Sequence, residues 1–267
     1  MKSRAPSTVC ALVLSCASLL ACGDDSPTGP GDGLQDLDWS AAMQAGETLE
    51  IRGVNGSILA VAAAGNTASV TADKNGGSSP ESSVTFEVVT HAGGVTICAM
   101  YPDVSGEPPN ECVPGGGQMT VRDNDVVVTF DVQVPEGVRL IEWTVNGNVR
   151  ATAVRSEVVG FTVNGDASIS TSTMADASTV NGNVEVAIKD ELPDRDLVFS
   201  TVNGNVTLRV PVGIDARVEA TTVNGTMNSD FLLSNPVPGR WIGTLGDGGS
   251  NLALSTVNGN LELRSVP

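Results

Sequence analysis

The segment Thr179-Val180-Asn181-Gly182-Asn183-Val184-Glu185-Val186 contains the motif that decides the fold of this 267-residue chain. The tetrad Thr-Val-Asn-Gly occurs six times, and a shorter Val-Asn-Gly begins at Val54. The Asn-Gly pairs of the six tetrads are Asn146 and Gly147, Asn164 and Gly165, Asn181 and Gly182, Asn203 and Gly204, Asn224 and Gly225, and Asn258 and Gly259. Successive asparagines are 18, 17, 22, 21 and 34 residues apart, which is typical of stacked coils that carry one insertion.

A two-residue β-hairpin is the other structure that Asn-Gly commonly marks. A hairpin closed on Asn181 and Gly182 would pair Val180 with Asn183, an apolar residue with a polar one on the same face. Alternation with a period of two instead continues through the Asn-Gly step and places Val180, Gly182 and Val184 on one face. The inward residues that this phase predicts ahead of the turn include Ile141, Trp143, Val145, Val159, Phe161 and Val163.

We therefore interpret the repeat as one wall of a coil that bends at Asn-Gly. Asparagine tolerates the left-handed conformation, and glycine allows a positive φ or a close approach of two backbones. Stacked coils would align the asparagines and threonines into ladders, with side-chain amides bonded from one coil to the next. The prediction is an all-β parallel β-helix, or β-solenoid, of about six short coils.

The region upstream of the tetrads, residues 45–135, is predicted to form antiparallel strands that precede the coils. The strands expected from alternation and turn residues are Thr48–Ile51, Ser57–Ala62, Ala68–Ala72, Ser83–Val89, Gly94–Met100, Gln118–Arg122 and Val126–Val134. Val54-Asn55-Gly56 keeps the phase of the repeat, so this region is expected to begin the same sheet. The last coil, Leu261 to Val266, is expected to leave an open edge unless residues 226–250 cover it.

The N-terminus is predicted to be a secretory signal over residues 1–21, because Lys2 and Arg4 precede an apolar run. Leu19-Leu20-Ala21-Cys22 resembles the lipobox of bacterial lipoproteins, which predicts lipidation of Cys22 and a flexible linker over 22–38. The predicted location is the cell envelope, at the outer membrane or the cell surface. An ordinary signal peptide with an incidental cysteine is the alternative.

Two cysteines remain after the leader, Cys98 and Cys112, and they flank a loop rich in proline. In an oxidising compartment this pair most simply forms a disulfide. A redox-active pair is the alternative, although the chain has no C-x-x-C motif.

Charge argues against nucleic acid as a partner, because 14 basic residues against 31 acidic ones give a formal net charge of −17. With His91 as its single histidine, the sequence also excludes any mechanism that needs two imidazoles. The motifs of serine hydrolases, zinc proteases and nucleotide-binding loops are absent from the sequence. The chain is therefore predicted not to be an enzyme and to need no cofactor.

The segment Val134-Pro135-Glu136-Gly137-Val138-Arg139-Leu140, which runs into T-V-N-G-N-V, resembles a bacterial putative-adhesin domain family of unknown function. Residues 243–249 and the tetrad at Thr256 resemble the closing coil of that family. The resemblance covers roughly residues 40–267. It implies a parallel β-helix-like module on an exported protein, with adhesion as the expected role and no catalytic residues to carry over.

Two further candidate sites remain. The acidic loop with Asp190, Asp194 and Asp196 is most simply a solvated loop, with calcium binding or glycan chemistry as the alternatives. A sugar site needs an exposed aromatic ring, and Trp241 is the ligand contact that we predict, since Trp39 is the other tryptophan expected to be free.

The function predicted from these features is a non-catalytic, lipid-anchored adhesin or binding module over residues 39–267. Its expected partners are the membrane, through the lipid, and a protein or glycan ligand, with self-association through an open solenoid edge as a further possibility. A structural envelope scaffold and a glycan-active β-helix enzyme are the alternative functions.

Overall fold

The computed structural model describes residues 37–190 and 195–266, which form strands and one 3₁₀ turn at Glu81–Ser83. The first strands are β1 (Leu37–Ala42), β2 (Thr48–Arg52), β3 (Ile58–Ala62), β4 (Thr67–Asn75), β5 (Thr85–His91), β6 (Gly94–Met100), β7 (Val127–Val134), β8 (Arg139–Trp143), β9 (Val149–Val154), β10 (Val158–Phe161) and β11 (Ala167–Thr171). The others are β12 (Ala175–Ser178), β13 (Val184–Ile188), β14 (Leu197–Ser200), β15 (Val206–Pro211), β16 (Ala216–Asn224), β17 (Met227–Ser229), β18 (Ser234–Val237), β19 (Arg240–Leu245), β20 (Ser250–Asn258) and β21 (Leu261–Val266).

The strands form two large mixed sheets, so the chain is all-β. Sheet A has the order β1-β4-β7-β3-β9-β11-β13-β15-β21-β17, and sheet B has the order β18-β19-β16-β20-β14-β12-β10-β8-β2-β6-β5. Neighbours pair in parallel through the middle of both sheets. Antiparallel pairs lie at both ends of sheet B, but only at the β1 end of sheet A, because β17 at the other end pairs in parallel with β21. Each Thr-Val-Asn-Gly joins a strand of sheet B to a strand of sheet A, and Val54-Asn55-Gly56 joins β2 to β3 in the same way. We call each of these turns a corner, and we call a corner together with the two strands that it joins a coil.

The region 45–135 differs from its prediction as a set of antiparallel strands. β1–β4, β4–β7 and β5–β6 are antiparallel, but β2 pairs in parallel with β6 and β8, and β3 with β7 and β9. The cause is the corner at Asn55, because Asn55 forms a parallel bridge with Asn146. The strands on either side of it, β2 and β3, therefore align with β8 and β9. This agrees with the prediction that Val54-Asn55-Gly56 begins the same sheet. Residues 118–122, expected to be a strand, form none.

The predicted phase is correct after each corner and wrong before it. Val184, Val186 and Ile188 are buried in the core, as expected. Ahead of the corner, the buried residues of the repeat at 144 are Leu140, Glu142 and Thr144, while the residues expected to point inward lie on the outer face. Those residues are Ile141, Trp143 and Val145, and in the next repeat Val159, Phe161 and Val163; all are half-buried. The face therefore switches within the corner, and alternation does not run through it.

The last coil is not at an edge, contrary to the expectation for Leu261–Val266. β21 lies between β15 and β17, and β20 lies between β14 and β16. The edge of sheet B beyond β16 is covered by the hairpin of β18 and β19, which belongs to the insertion 226–250. The outermost coil is thus β16 and β17, which precede the last coil in sequence.

The first described strand begins two residues before the predicted start of the domain at residue 39. Leu37 and Asp38, assigned to the linker, belong to β1, and Trp39, expected to be free, is buried with 2% exposure. The signal sequence and the predicted lipidation site Cys22 lie outside the described residues. Between residues 37 and 266, the described part contains no helix with the length and hydrophobicity needed to span a membrane.

The predicted disulfide joins Cys98 of β6 to Cys112 in the loop before β7, with their Cα atoms 5.8 Å apart. The loop covers the outer face of sheet B at this end. There the backbone N–H of Gly115 donates to Oε2 of Glu50 at 2.8 Å. A cross-link of this loop therefore holds a cover over the buried carboxylate of Glu50.

Candidate binding surface

The threonine of each Thr-Val-Asn-Gly tetrad points inward, and its side chain forms a hydrogen bond to the next coil. Its hydroxyl donates to the carbonyl of the corner glycine on the neighbouring coil, and the distances lie between 2.8 and 3.0 Å. The six threonines are Thr144, Thr162, Thr179, Thr201, Thr222 and Thr256, and all are buried. This bond requires the threonine to face the core, and it explains the switch of face at the corner.

The corner asparagines form a continuous ladder on the surface. We call each asparagine a rung, and in every rung except Asn55 Nδ2 donates to Oδ1 of the preceding rung at 2.8 or 2.9 Å. The order of the rungs is Asn55, Asn146, Asn164, Asn181, Asn203, Asn258 and Asn224. The side chains are exposed along the tetrads, so the ladder links the parallel coils at their outer corner.

A second polar column follows the glycines, at the residue after each Asn-Gly. Its side-chain oxygens accept backbone N–H groups from the next coil, for example Asn148 Oδ1 from Asp166 at 2.8 Å and Asp166 Oδ1 from Asn183 at 2.7 Å. Asn183 and Asn205 continue the column in the same way. This column was not among the predicted features, although Asn or Asp follows the glycine in five of the six tetrads.

Replacing both Asn181 and Asn203 with alanine is expected to lower the melting temperature by about 3–6 °C. The double variant removes three amide–amide bonds, each worth about 0.5 kcal/mol at an exposed position. Thermal unfolding followed by circular dichroism measures the change. Asn66→Ala is the control, because Asn66 is exposed and lies outside the ladder. An unchanged melting temperature in the double variant would show that the ladder adds no stability.

A groove of about 440 Å³ runs beside the second column, across β9, β11, β13 and β15. One wall is the second column, and the other is a row of outward side chains in register on sheet A. That row consists of Arg150, Ser168, Glu185 and Thr207. Since parallel strands are about 4.8 Å apart, four of them give the groove a length of about 14 Å.

Several polar groups in this groove lack an internal partner. Among the residues that the structure describes, the guanidinium of Arg150 and the hydroxyls of Ser168 and Thr207 make no hydrogen bond or ion pair. The two carboxylates are engaged, because Asp166 accepts bonds from Asn183, and Glu185 pairs with Arg209. The groove therefore presents free donors and acceptors that do not hold the fold together.

The outer face of sheet B carries an aromatic stack. It was not predicted, because the incorrect alternation before the corners placed both of its rings in the core. The rings of Trp143 and Phe161 are 6.0 Å apart between centroids and 13° from parallel, and Cζ of Arg52 lies 4.9 Å from the Trp143 ring. Arg52 also pairs with the buried Glu50 at 2.9 Å. Both rings were expected in the core, but they are half-buried outside it. The stack runs from strand to strand and stops at Ser178 of β12.

The predicted ligand contact Trp241 and the acidic loop lie apart from the groove. Trp241 of β19 is half-buried and packs against the end of the core, opposite Ala220. Asp190 is exposed, and Asp196 accepts a bond from Asn251 Nδ2 at 2.5 Å, while Asp194 lies outside the described residues. The described residues contain no group of three or more His, Cys, Asp or Glu arranged to hold a metal ion. Calcium binding by this loop stays a prediction.

Comparison with known proteins gives distant structural likenesses. No protein-family model matches the chain, and no curated protein matches it. The fold is similar to a putative cell adhesion protein from Clostridium sporogenes, with 8% identity, a TM-score of 0.41 and coverage of 87% of this chain and all of that one. It is also similar to a putative adhesin from Bacteroides fragilis, with 8% identity, a TM-score of 0.29 and coverage of 88% of this chain and 98% of that one.

Proposed function

We propose that this chain is an exported, non-catalytic binding module of the adhesin type, anchored by lipid at Cys22. In this proposal the stacked coils form a short β-solenoid, and the ligand lies along the stack. The observation that carries the proposal is the groove beside the second column, with its free polar groups. A groove that crosses successive coils at a constant spacing suits a chain-like ligand with a repeating unit.

An extended, neutral glycan fits the chemistry of this groove best. Its hydroxyls both donate and accept, and the walls offer free donors at the Arg150 guanidinium and free hydroxyls at Ser168 and Thr207. The length of one sugar unit in an extended chain is close to the distance between two adjacent strands. A polyanion fits less well, because the formal net charge of the chain is −17.

Binding is favoured over hydrolysis because both groove carboxylates already have partners. In this proposal Asp166 supports the second column and Glu185 pairs with Arg209, so both carboxylates serve the fold. In this proposal the rigid ladder holds the polar groups in place before the ligand arrives, which reduces the entropy cost of binding.

Filling the groove is expected to weaken glycan binding by about tenfold or more, which corresponds to about 1.4 kcal/mol. Ser168→Trp places a large ring in the middle of the groove, on the outer face of β11. Purified residues 23–267 would be screened on a glycan array, and each hit would be measured by titration calorimetry. The matched control is Val198→Trp, which adds the same ring at an exposed position of sheet B.

The two variants separate the two faces of the molecule. Binding that survives Ser168→Trp but is lost in Val198→Trp would assign the ligand to sheet B and contradict the groove. Release of sugar fragments from a bound glycan would contradict the non-catalytic role.

Exposure at the cell surface needs a separate test, protease shaving of intact cells with a periplasmic marker as the control for lysis. Adhesion requires that peptides from residues 39–267 are released. Protection until the outer membrane is opened would instead favour the role of an internal envelope scaffold.

A further inference from the structure

The seven Asn-Gly corners of the ladder differ in how their glycine N–H groups are bonded. In six of them, the glycine N–H donates to the backbone carbonyl of the asparagine on the neighbouring rung, at 2.7 to 3.0 Å. These six glycines are Gly56, Gly147, Gly165, Gly182, Gly204 and Gly259. Each N–H is therefore held between two coils by the same bond that continues the stack.

Gly225 is the exception, because its rung is the outermost one. Its backbone N–H has no hydrogen-bond partner among the described residues, since no further coil lies beyond β16 and β17. Asn224 and Gly225 are both exposed. The side chain of Asn224 donates to Asn258 at 2.8 Å, but its Oδ1 accepts no bond from another rung.

Asn-Gly is the dipeptide most prone to deamidation, and the reaction begins at the glycine nitrogen. The nitrogen of Gly225 bonds to Cγ of Asn224 as its N–H proton is lost, and the bond from Cγ to Nδ2 breaks. Nδ2 takes up a proton and leaves as ammonia, and the product is a five-membered succinimide. Water then opens the ring to aspartate or isoaspartate. The step needs a glycine N–H that is free to lose its proton and a backbone that is free to rotate.

We propose that Asn224 is a spontaneous deamidation site, and that the stack protects the other six corners. At each of the other corners the glycine N–H donates a hydrogen bond to the neighbouring coil. This bond hinders the loss of the proton and keeps the nitrogen from turning toward Cγ of the preceding asparagine. The edge corner lacks this restraint. The order of the coils matters here, because the insertion of β20 and β21 beneath β16 and β17 makes residue 224, and not residue 258, the end of the ladder.

Deamidation would alter the end of the stack. A carboxylate at residue 224 has no N–H to give to Oδ1 of Asn258, so two acceptors would face each other and the last amide bond would be lost. The modified rung would also add a negative charge at the exposed edge. The predicted effect is local loosening of β16 and β17 against β20 and β21.

Peptide mapping of folded, purified residues 23–267 during incubation at mildly alkaline pH tests the proposal. Mass spectrometry, with separation of aspartate from isoaspartate peptides, gives the rate at each Asn-Gly step. Asn224 is expected to convert at least about fivefold faster than each inner rung, as the loss of one restraining hydrogen bond suggests. Asn75-Gly76, outside the ladder, is the reference; the N–H of Gly76 donates to the exposed side chain of Glu81, at Oε1, at 3.3 Å and not to a backbone carbonyl of a neighbouring coil.

Two controls connect the difference to the stack. In urea, where the stack is unfolded, the seven corners are expected to convert at similar rates. In Asn224→Ala the inner Asn258 should stay slow, because Gly259 donates to the backbone oxygen of residue 224, which the variant retains. Equal rates at all seven corners of the folded chain, or an inner rung that converts fastest, would overturn the proposal. So would an Asn224 that stays intact while Asn75 converts.

Discussion

Gly182→Ala is expected to lower the melting temperature of the chain by about 10 °C or more. Gly182 has a φ of +156°, and a Cβ built on it would lie 2.0 Å from the carbonyl oxygen of Gly165. That oxygen is fixed, because it also accepts the hydroxyl of Thr179 at 2.8 Å. The side chain therefore meets backbone that cannot move without breaking the ladder, and the cost is about 3 kcal/mol or more.

Thermal and urea unfolding of the variant measure this cost. The matched control is Gly65→Ala, because a Cβ added to Gly65 would have no atom within 4 Å and the φ of Gly65 is not positive. The control variant should be unchanged or slightly more stable, since alanine restricts the unfolded chain. If the two variants melt alike, the close approach of neighbouring corners is not a constraint, and the repeated glycine needs another explanation.

The corner is the part of the fold that sequence reasoning could reach. Asn-Gly at a regular interval predicted a bend with side-chain amides in a column. A hairpin was rejected because alternation was expected to run through Asn181-Gly182, and that premise is wrong, since Thr179 is buried and Val180 is only half-buried. The inward phase predicted for the apolar residues after Gly182 is nevertheless correct. Those residues, Val184, Val186 and Ile188, are buried. The prediction worked because a glycine between two backbones and an asparagine in a ladder act locally, through neighbours on adjacent coils.

The inward face of the strand before each corner was predicted wrongly, because the alternation of apolar residues was assumed to continue through the turn. Thr162 is buried and so is Ala167, five residues later, an odd step that a strict period of two does not allow. The threonine faces inward for its bond to Gly147, and this bond is invisible until the neighbouring coil is known. Phe161 was therefore assigned to the core, although its ring lies outside.

The groove and the coil order could not be predicted for a related reason. Arg150 and Glu185 are far apart in sequence and share a row only because β9, β11 and β13 pair in register. Likewise, nothing in the local pattern states that β20 pairs with both β14 and β16. Such facts depend on long-range pairing, whereas periodicity reports only on neighbours along the chain.

The same incorrect alternation placed Glu142 of β8 on the outer face, although it is a buried acid. It lies in the core between Ile51 of β2 and Gly160 of β10, and it is fully buried. Neither of its carboxyl oxygens has a hydrogen-bond partner among the described residues. Burial raises the pKa of this carboxyl from 4.5 to about 8, so the side chain is held neutral in the folded chain at moderate pH.

The stability of the chain is therefore expected to fall as the pH rises from about 4.5 to about 8. The folded state retains the proton of Glu142 through this range, while the unfolded state, with a pKa near 4.5, releases it. The free energy of unfolding contributed by this group is fully present below pH 4.5. It declines by up to about 1.4 kcal/mol for each pH unit until the folded state also ionises.

Glu142→Gln removes this titration while it keeps nearly the same shape. The variant should resemble the wild type near pH 5 and exceed its stability by about 3 kcal/mol near pH 8, with urea unfolding at a series of pH values as the measurement. The control is Glu87→Gln, which makes the same substitution at an exposed position of β5. A constant difference between Glu142→Gln and the wild type across this range would mean that Glu142 already ionises in the folded chain. The carboxylate would then need a partner or a water that stabilises its charge, and the core beside Gly160 would have to admit it.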